Sequence, residues 1–487
     1  MAGGRQHYNV TLAVLTLAGM AYALQQTMVI PALPVLQRDL HTTTTWATWV
    51  LTVFLLVASV ATPIFGKLGD QYAKERLLTI SLTVFLAGCA GCAAAWNIWS
   101  LVAFRAVSAA GAAVFPLSFA IIRDEFPPEK VGVAIGLISA VFGVGGGFGI
   151  VLSGVIVDNF SWRWLFVVGA IAVAASVVLV HRFVPESPIK TPSRVDVPGA
   201  TLLSAGLIAL LLALSEGESW GWAGARILGL FAASLVLLVA WGIAELHVPE
   251  PLIDMRVLAH RPVLFTNLTA IIAGFAMFGT FVLIPNFVET PRGLPPSLAR
   301  LVHYGFGASA TKAGLYLLPS SVVLLFAGPI AGLVGRRLGF KWPLALGMLL
   351  VAAASGSFAA FHDRPWELLA AMPALGIGVG FAFAAMATLI VEAVRPEETG
   401  VATGMNTVMR TVGGVIGGQV GAALLTAYTL RRTTVPSVTG YEATFAVSAA
   451  AALVGAVVAV LVTSRARRAP VGAGVSVGAP ARTRPHV

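Results

Sequence analysis

The sequence predicts an all-α membrane protein built as two pseudo-symmetric six-helix bundles plus two inserted helices, 14 transmembrane helices in all, with both termini cytoplasmic. Three observations carry that reading. The first is composition: 57% of residues are hydrophobic, 11% are charged and the mean hydropathy is +0.88, where a soluble chain carries ~25% charged residues. The second is the run of apolar segments long enough to cross a ~30 Å hydrocarbon core. The third is an internal echo. Pro128-Glu129-Lys130-Val131-Gly132-Val133-Ala134-Ile135-Gly136 returns as Pro396-Glu397-Glu398-Thr399-Gly400-Val401-Ala402-Thr403-Gly404, identical at six of nine positions, at an offset of 268. Gly145, Gly149 and Ser153 map at the same offset onto Gly413, Gly417 and Gly421, and Pro63-Ile64-Phe65-Gly66 maps onto Pro329-Ile330-Ala331-Gly332 at an offset of 266.

The apolar segments fall at 10–34, 46–66, 77–96, 99–122, 131–155, 162–184, 198–216 and 225–245, then at 262–288, 311–334, 341–361, 366–391, 400–428 and 440–463. Scattered Gly and Pro and the absence of strict alternation favour helices over a barrel. The first segment is too long for a signal-peptide core, and Pro31 and Pro34 interrupt its far end, so it reads as a retained helix. The repeat offset exceeds the roughly 200 residues that a six-helix half requires at ~20 per span. Segments 198–216 and 225–245 have no counterpart in the repeat and read as the insertion. The domains expected are a six-helix bundle at 1–184, a linker with two extra helices at 185–261, a second bundle at 262–463 and a disordered cytoplasmic tail at 464–487. The stretch 288–310, rich in Pro and Gly, is the longest outside loop.

With the N-terminus inside, twenty of the 31 Lys and Arg residues fall on the cytoplasmic side and nine outside, leaving Arg105 and Arg410 within the membrane. That bias accounts for the net charge of +10 through the anionic inner leaflet, and needs no nucleic-acid partner. Cys89 and Cys92 have redox-motif spacing but lie in an apolar span, where packing explains them. No metal-ligand cluster, cofactor motif or nucleophile–base pattern is visible, so neither a metal, a cofactor nor an enzymatic activity is expected. Six tryptophans, Trp96, Trp99, Trp162, Trp164, Trp220 and Trp222, sit at interface depth and read as an aromatic belt.

Between the second and third spans lies Gly66-Lys67-Leu68-Gly69-Asp70-Gln71-Tyr72-Ala73-Lys74-Glu75-Arg76. It resembles the cytoplasmic loop signature of the major facilitator superfamily, matching at Gly66, Leu68, Asp70 and Lys74, with Ala73 where a second Gly is usual and Glu75 where a base is usual. A degenerate second copy reads Gly332, Val334, Gly339 and Lys341, with Arg336 at the aspartate position. Arg105, Ser108 and Gly111 are similar to the family's intramembrane arginine motif. Gly136, Gly145, Gly149, Ile150 and Gly154 have the spacing of its antiporter motif, with Ile150 replacing proline. Ser161-Trp162-Arg163-Trp164-Leu165-Phe166 resembles a run of the fourteen-helix drug:proton antiporter branch.

The resemblance implies that Asp70 caps the helix beginning near Gly400 in the opposite half, and that Gly66, Asp70, Lys74, Arg76, Gly136, Gly145, Gly149 and Gly154 gate the conformational change. The Gly145–Gly149–Ser153 stripe is expected to pack helices closely, and Gly143 lies off it. Gln25, Gln26, Arg105, Asn267, Tyr316 and Asn406 are the expected substrate-binding residues; for Arg105, facing a central cavity and snorkelling to the outer interface are the two readings. Arg410 is expected to pair with backbone carbonyls or Glu392. Gln25 departs from the branch, which carries Asp there, and an amide carries no proton. The acidic residues nearest the membrane are Asp158, Glu289 and Glu442 toward the outside and Glu245 and Glu392 toward the inside.

The function implied is export of amphipathic small molecules, drugs or secondary metabolites, by alternating access with protons as coupling ion, from a monomer in the lipid of a bacterial inner membrane. Without an acidic centre, neutral or anionic substrates suit the chain better than cations. Arg outnumbers Lys by 25 to 6, pointing to a high-GC bacterium. Two alternatives keep the fold, a facilitator without proton coupling and a dedicated exporter of one host metabolite. One from another class is a non-transporting membrane sensor or lipid-handling partner.

Overall fold

In hydrocarbon a backbone must satisfy its N–H and C=O groups within its own segment, and long helices accordingly carry this chain. A computed structural model describes residues 8–186, 196–290, 304–429 and 436–462. The helices are α1 (Tyr8–Thr27), α2 (Leu33–Asp39), α3 (Thr44–Gln71), α4 (Lys74–Ala93), α5 (Ile98–Ser108), α6 (Val114–Glu125), α7 (Pro128–Asn159), α8 (Arg163–Phe183), α9 (Val197–Trp220), α10 (Ala225–His247), α11 (Met255–Ala259) and α12 (Arg261–Glu289). They continue as α13 (Ala310–Leu338), α14 (Lys341–Ala360), α15 (Pro365–Ala393), α16 (Thr399–Ala427) and α17 (Val438–Val460).

Local chemistry sets their ends. The Thr43 hydroxyl accepts the Trp46 N–H at the start of α3, and Ser309 accepts that of Lys312 at the start of α13. Asn97 and Ser100 form a reciprocal capping box on α5. Gly339, at φ 88°, lets the chain turn sharply out of α13. A 3₁₀ stretch at Ala109–Ala113 separates α5 from α6, so this span is broken near its middle.

Buried residues of α1, α3, α4 and α6–α8 (Leu15, Phe54, Phe85, Phe115, Ile138) form one core, joined by Ala387 and Val391 of α15. Those of α12–α15 and α17 (Ile284, Leu324, Met348, Phe383, Phe445) form another, joined by Ala140 and Val144 of α7. Leu203, Leu207 and Leu211 of α9 pack with Leu56 of α3 and with Val401, Met405 and Val408 of α16. The inserted pair therefore lies along the α3–α16 seam.

Among the described residues, 13 helices are long and apolar enough to cross a membrane. The remaining expected span, 262–288, lies within α12, a single helix of 29 residues from Arg261 to Glu289. The expected disordered tail, 464–487, lies outside the described residues, as do 187–195 of the linker and 291–303 of the long loop. One tryptophan departs from the belt reading: Trp96, Trp99, Trp164, Trp220 and Trp222 are exposed, but Trp162 is buried. Its ring meets Phe166 edge-on, and the Arg163 guanidinium lies 4.4 Å from the Trp162 ring centroid.

Candidate functional site

The two sequence echoes pack against each other. Gly66 of α3 meets Gly400 of α16 so closely that a Cβ on Gly66 would stand 2.5 Å from the Gly400 carbonyl oxygen, and one on Gly400 would stand 2.6 Å from that of Gly66. One turn on, a Cβ on Gly404 would stand 3.1 Å from the Thr62 carbonyl oxygen and 3.3 Å from the Pro63 Cα. The other copies do the same between α7 and α13. A Cβ on Gly332 would lie 2.6 Å from the Gly132 oxygen, and one on Gly136 would lie 3.1 Å from the Pro329 nitrogen. Small residues here permit backbone-to-backbone approach, which a bilayer rewards because helix association there depends on close packing.

Asp70 sits at the α3–α16 crossing. Its Oδ1 accepts the Gly400 N–H and its Oδ2 the Val401 N–H, both at 3.1 Å, and the side chain is 2% exposed. These N–H groups belong to the first turn of α16, where no intrahelical acceptor is available and the helix dipole favours a negative charge. Arg123, at the end of α6, adds three bonds to the same place: to Val394 O at 2.7 Å, Arg395 O at 3.1 Å and Thr399 Oγ1 at 2.6 Å. Lys74 is fully buried and ion-paired with Asp124, behind Asp70 within its own half. Arg76 is exposed.

At the opposite end of α7, Thr311 Oγ1 donates to Asp158 Oδ2 at 2.8 Å, joining α7 to α13. The antiporter-motif glycines divide between two faces of α7. Gly145 and Gly149 meet α1, each 3.2 Å from the Leu24 backbone for an added Cβ, and Ser153 bonds to the Met28 carbonyl. Gly136 and Gly154 meet α13 instead. Gly143, off the first stripe, packs on Leu324 of α13 and so belongs to the second. In the repeat, Gly413 and Gly417 face Ile271 and Phe275 of α12, reproducing the α1–α7 contact. α7 runs unbroken past Ile150.

The expected substrate-binding residues do not converge. Arg105 is fully buried inside the N-terminal half, facing neither a central cavity nor the outer interface. Its guanidinium lies 4.1 Å over Phe54 and 5.9 Å from Phe166, and Nη2 donates to Gln25 O at 3.0 Å. Gln25 is likewise buried, with Nε2 3.5 Å from Cys89 Sγ and Gly169 against its amide. The physical reason is the break after α5: Arg105 occupies the last turn, where carbonyl ends and aromatic faces compensate a cation. Gln26 is half-buried on α1. Asn406 Nδ2 donates to Asn267 Oδ1 at 2.9 Å, linking α16 to α12. Tyr316 stacks on Phe306 at 5.7 Å, near the start of α13.

Among the described residues, a central space and a vestibule lie between the halves. The central one, of about 10 Å³, room for about one water, is lined by Phe115, Phe119, Ser139, Phe383, Thr403, Asn406 and Arg410. The Arg410 guanidinium stands 4.1 Å over the Phe383 ring. Of the expected substrate residues, Asn406 alone lines this space; Arg410, assigned from sequence to pairing with carbonyls or Glu392, lines it too. Its intramembrane position was the available signal. A vestibule of about 910 Å³ opens at the Asp70 end between Arg123, Phe126, Gly132, His260, Arg336 and Phe340, with Glu392 on its wall.

The Major Facilitator Superfamily profile matches residues 15–305 and 292–485. Multidrug resistance protein 3 of Bacillus subtilis (strain 168) is 31% identical over 389 residues, 78% of this chain and 72% of the relative. The Tetracenomycin C resistance and export protein of Streptomyces glaucescens is 26% identical over 399 residues, 80% of this chain and 71% of that protein. Among solved structures, the human organic anion transporter MFSD10 (TETRAN) superposes with a TM-score of 0.66 at 13% identity, covering 93% of this chain and 99% of that one, which is a likeness of fold. Duplicated halves, crossing glycines, the capped α16 terminus and the matched profile agree: the chain belongs to the Major Facilitator Superfamily of transporters.

Proposed function

We propose that this protein exports amphipathic small molecules across a bacterial inner membrane by alternating access of its two halves, working as a monomer with the Asp70 end in the cytoplasm and a proton gradient as the driving force. The observation that carries the reading is the bond from Asp70 to the first turn of α16. It joins the halves through a charge-assisted contact that is strong when made and lost when the halves part. Gly66, Gly136 and their partners supply the smooth backbone surfaces on which the halves rock. The named roles of the two bacterial relatives, multidrug resistance and tetracenomycin C export, support export as the direction.

A second reading, a facilitator without proton coupling, is favoured by one observation. Among the described residues that line the central space, there is no carboxylate. Transport of neutral, anionic and cationic aromatic dyes in proteoliposomes, with and without an imposed pH gradient, separates the two. Gradient-driven accumulation supports the antiporter; equal rates under both conditions select the facilitator; no transport by folded protein removes both.

A further inference from the structure

We infer that Arg410 is the counter-charge for an anionic group on the substrate, so that this protein selects aromatic anions over aromatic cations. The inference rests on the transport reading above and names its substrate class. Arg410 lies eleven residues into α16, ~16 Å along the helix, near the middle of a ~30 Å core. An ionisable side chain at that depth is costly and marks a pathway more often than a packing surface. Its guanidinium is stacked on Phe383, which fixes its plane at the wall of the central space. Phe115 and Phe119 present two further rings to the same space, and Ser139, Thr403 and Asn406 present polar groups. Arginine is the only ionisable group among the described residues lining it.

The route to this space carries the same chemistry. Along α6, Phe119 lines the centre and Arg123, one turn further, lines the vestibule; along α15, Ala387 lines the centre and Thr388 the vestibule. The vestibule adds Arg336 and His260 to Arg123, with Phe126 and Phe340 between them, against the one carboxylate of Glu392. A molecule with an aromatic body and a carboxylate or sulfonate therefore meets cation and ring together at both stations. A permanently cationic aromatic meets rings but a repelling charge at the centre, and like-charge juxtaposition is a strong discriminator.

The test uses the full chain, purified in detergent for binding and in proteoliposomes for transport. The probes are carboxyfluorescein (anionic), 7-ethoxycoumarin (neutral) and ethidium (cationic), and the variants are Arg410→Lys, Arg410→Gln and Arg410→Glu. Wild type should prefer carboxyfluorescein to ethidium. Arg410→Gln should weaken carboxyfluorescein binding about tenfold while changing 7-ethoxycoumarin little, Arg410→Lys should stay within about threefold, and Arg410→Glu should reverse the order toward ethidium. Arg410-dependent anion binding without transport of any probe would uphold the inference and remove the transport reading. Wild type that prefers ethidium, binds no probe, or binds carboxyfluorescein equally well in the folded Arg410→Gln variant would overturn the inference.

Discussion

The α3–α16 and α7–α13 crossings are built from the same repeated residues, yet among the described residues only the first carries a carboxylate where those residues meet, the Asp158–Thr311 bond of the second lying at the far end of α7. Gly66 on Gly400 and Gly332 on Gly132 are near-equivalent backbone contacts. The difference lies in where the helix that carries the nine-residue phrase begins in each pair. α16 begins at Thr399, after a separate 3₁₀ turn at Pro396–Glu398, so Gly400 and Val401 are first-turn residues whose N–H groups need an outside acceptor. α7 begins at Pro128, a full turn before Gly132, whose N–H is then taken up within the helix. The mirrored position therefore offers no free donors, and the residue facing it, Arg336, lines the vestibule instead. Two nearly symmetric halves become one lock and one plain bearing through a shift of one helical turn in a helix start.

The largest expected effect comes from filling a bearing. Gly136→Val places branched carbon against the Gly328 and Pro329 backbone, which cannot retreat. Overpacking of this kind costs about 1–3 kcal/mol or more, and transport at matched membrane abundance should fall below a tenth of wild type. Gly418→Ala, where an added Cβ meets nothing within 4 Å, is the control and should be neutral. Equal activity in the two variants would contradict the bearing.

Next is the lock. Asp70→Asn removes the charge and replaces one of the two accepting oxygens by a donor, and hydrogen bonds to a charged group are worth about 1.5–3 kcal/mol. Transport should fall about tenfold with little loss of folded protein, and crosslinking between cysteines introduced at the facing ends of α3 and α16 should drop. Unchanged crosslinking and transport would mean the contact is incidental.

A smaller effect sharpens the asymmetry. If the start of α7 is what forbids a second lock, then adding Arg336→Asp to Asp70→Asn should not restore transport, leaving the double variant within about twofold of Asp70→Asn. Recovery toward wild type would show that the aspartate position, not the helix start, decides. The smallest change is expected of Thr311→Val, which breaks one exposed bond to Asp158 worth about 1 kcal/mol; a melting-temperature shift of a few degrees and near-normal transport are the outcomes to check.

Much of the crossing architecture was legible because it is written in local patterns. Glycines four residues apart, a repeated nine-residue phrase and an acid at a span end are visible without knowing any neighbour. The same patterns did not tell Gly145 and Gly149 from Gly136 and Gly154, since all four belong to one helix and only packing divides its faces between α1 and α13.

What the sequence determined by itself is the helical, duplicated membrane architecture and, through a resemblance, the meeting of Asp70 with the helix that begins near Gly400. Lipid leaves only satisfied helices or closed barrels, and close approach demands small residues. What only the tertiary structure decided is which way the buried polar groups point. In a soluble helix the polar face announces the solvent side, but here every face is apolar and periodicity is silent. Arg105 and Gln25 thus turned inward among Phe54, Phe166 and Cys89, while Arg410 took the wall of the central space. The expected cap of Asp70 on this helix was legible in the sequence, but the start of α16 at Thr399, which leaves the Gly400 and Val401 N–H groups to the carboxylate, was set by the fold.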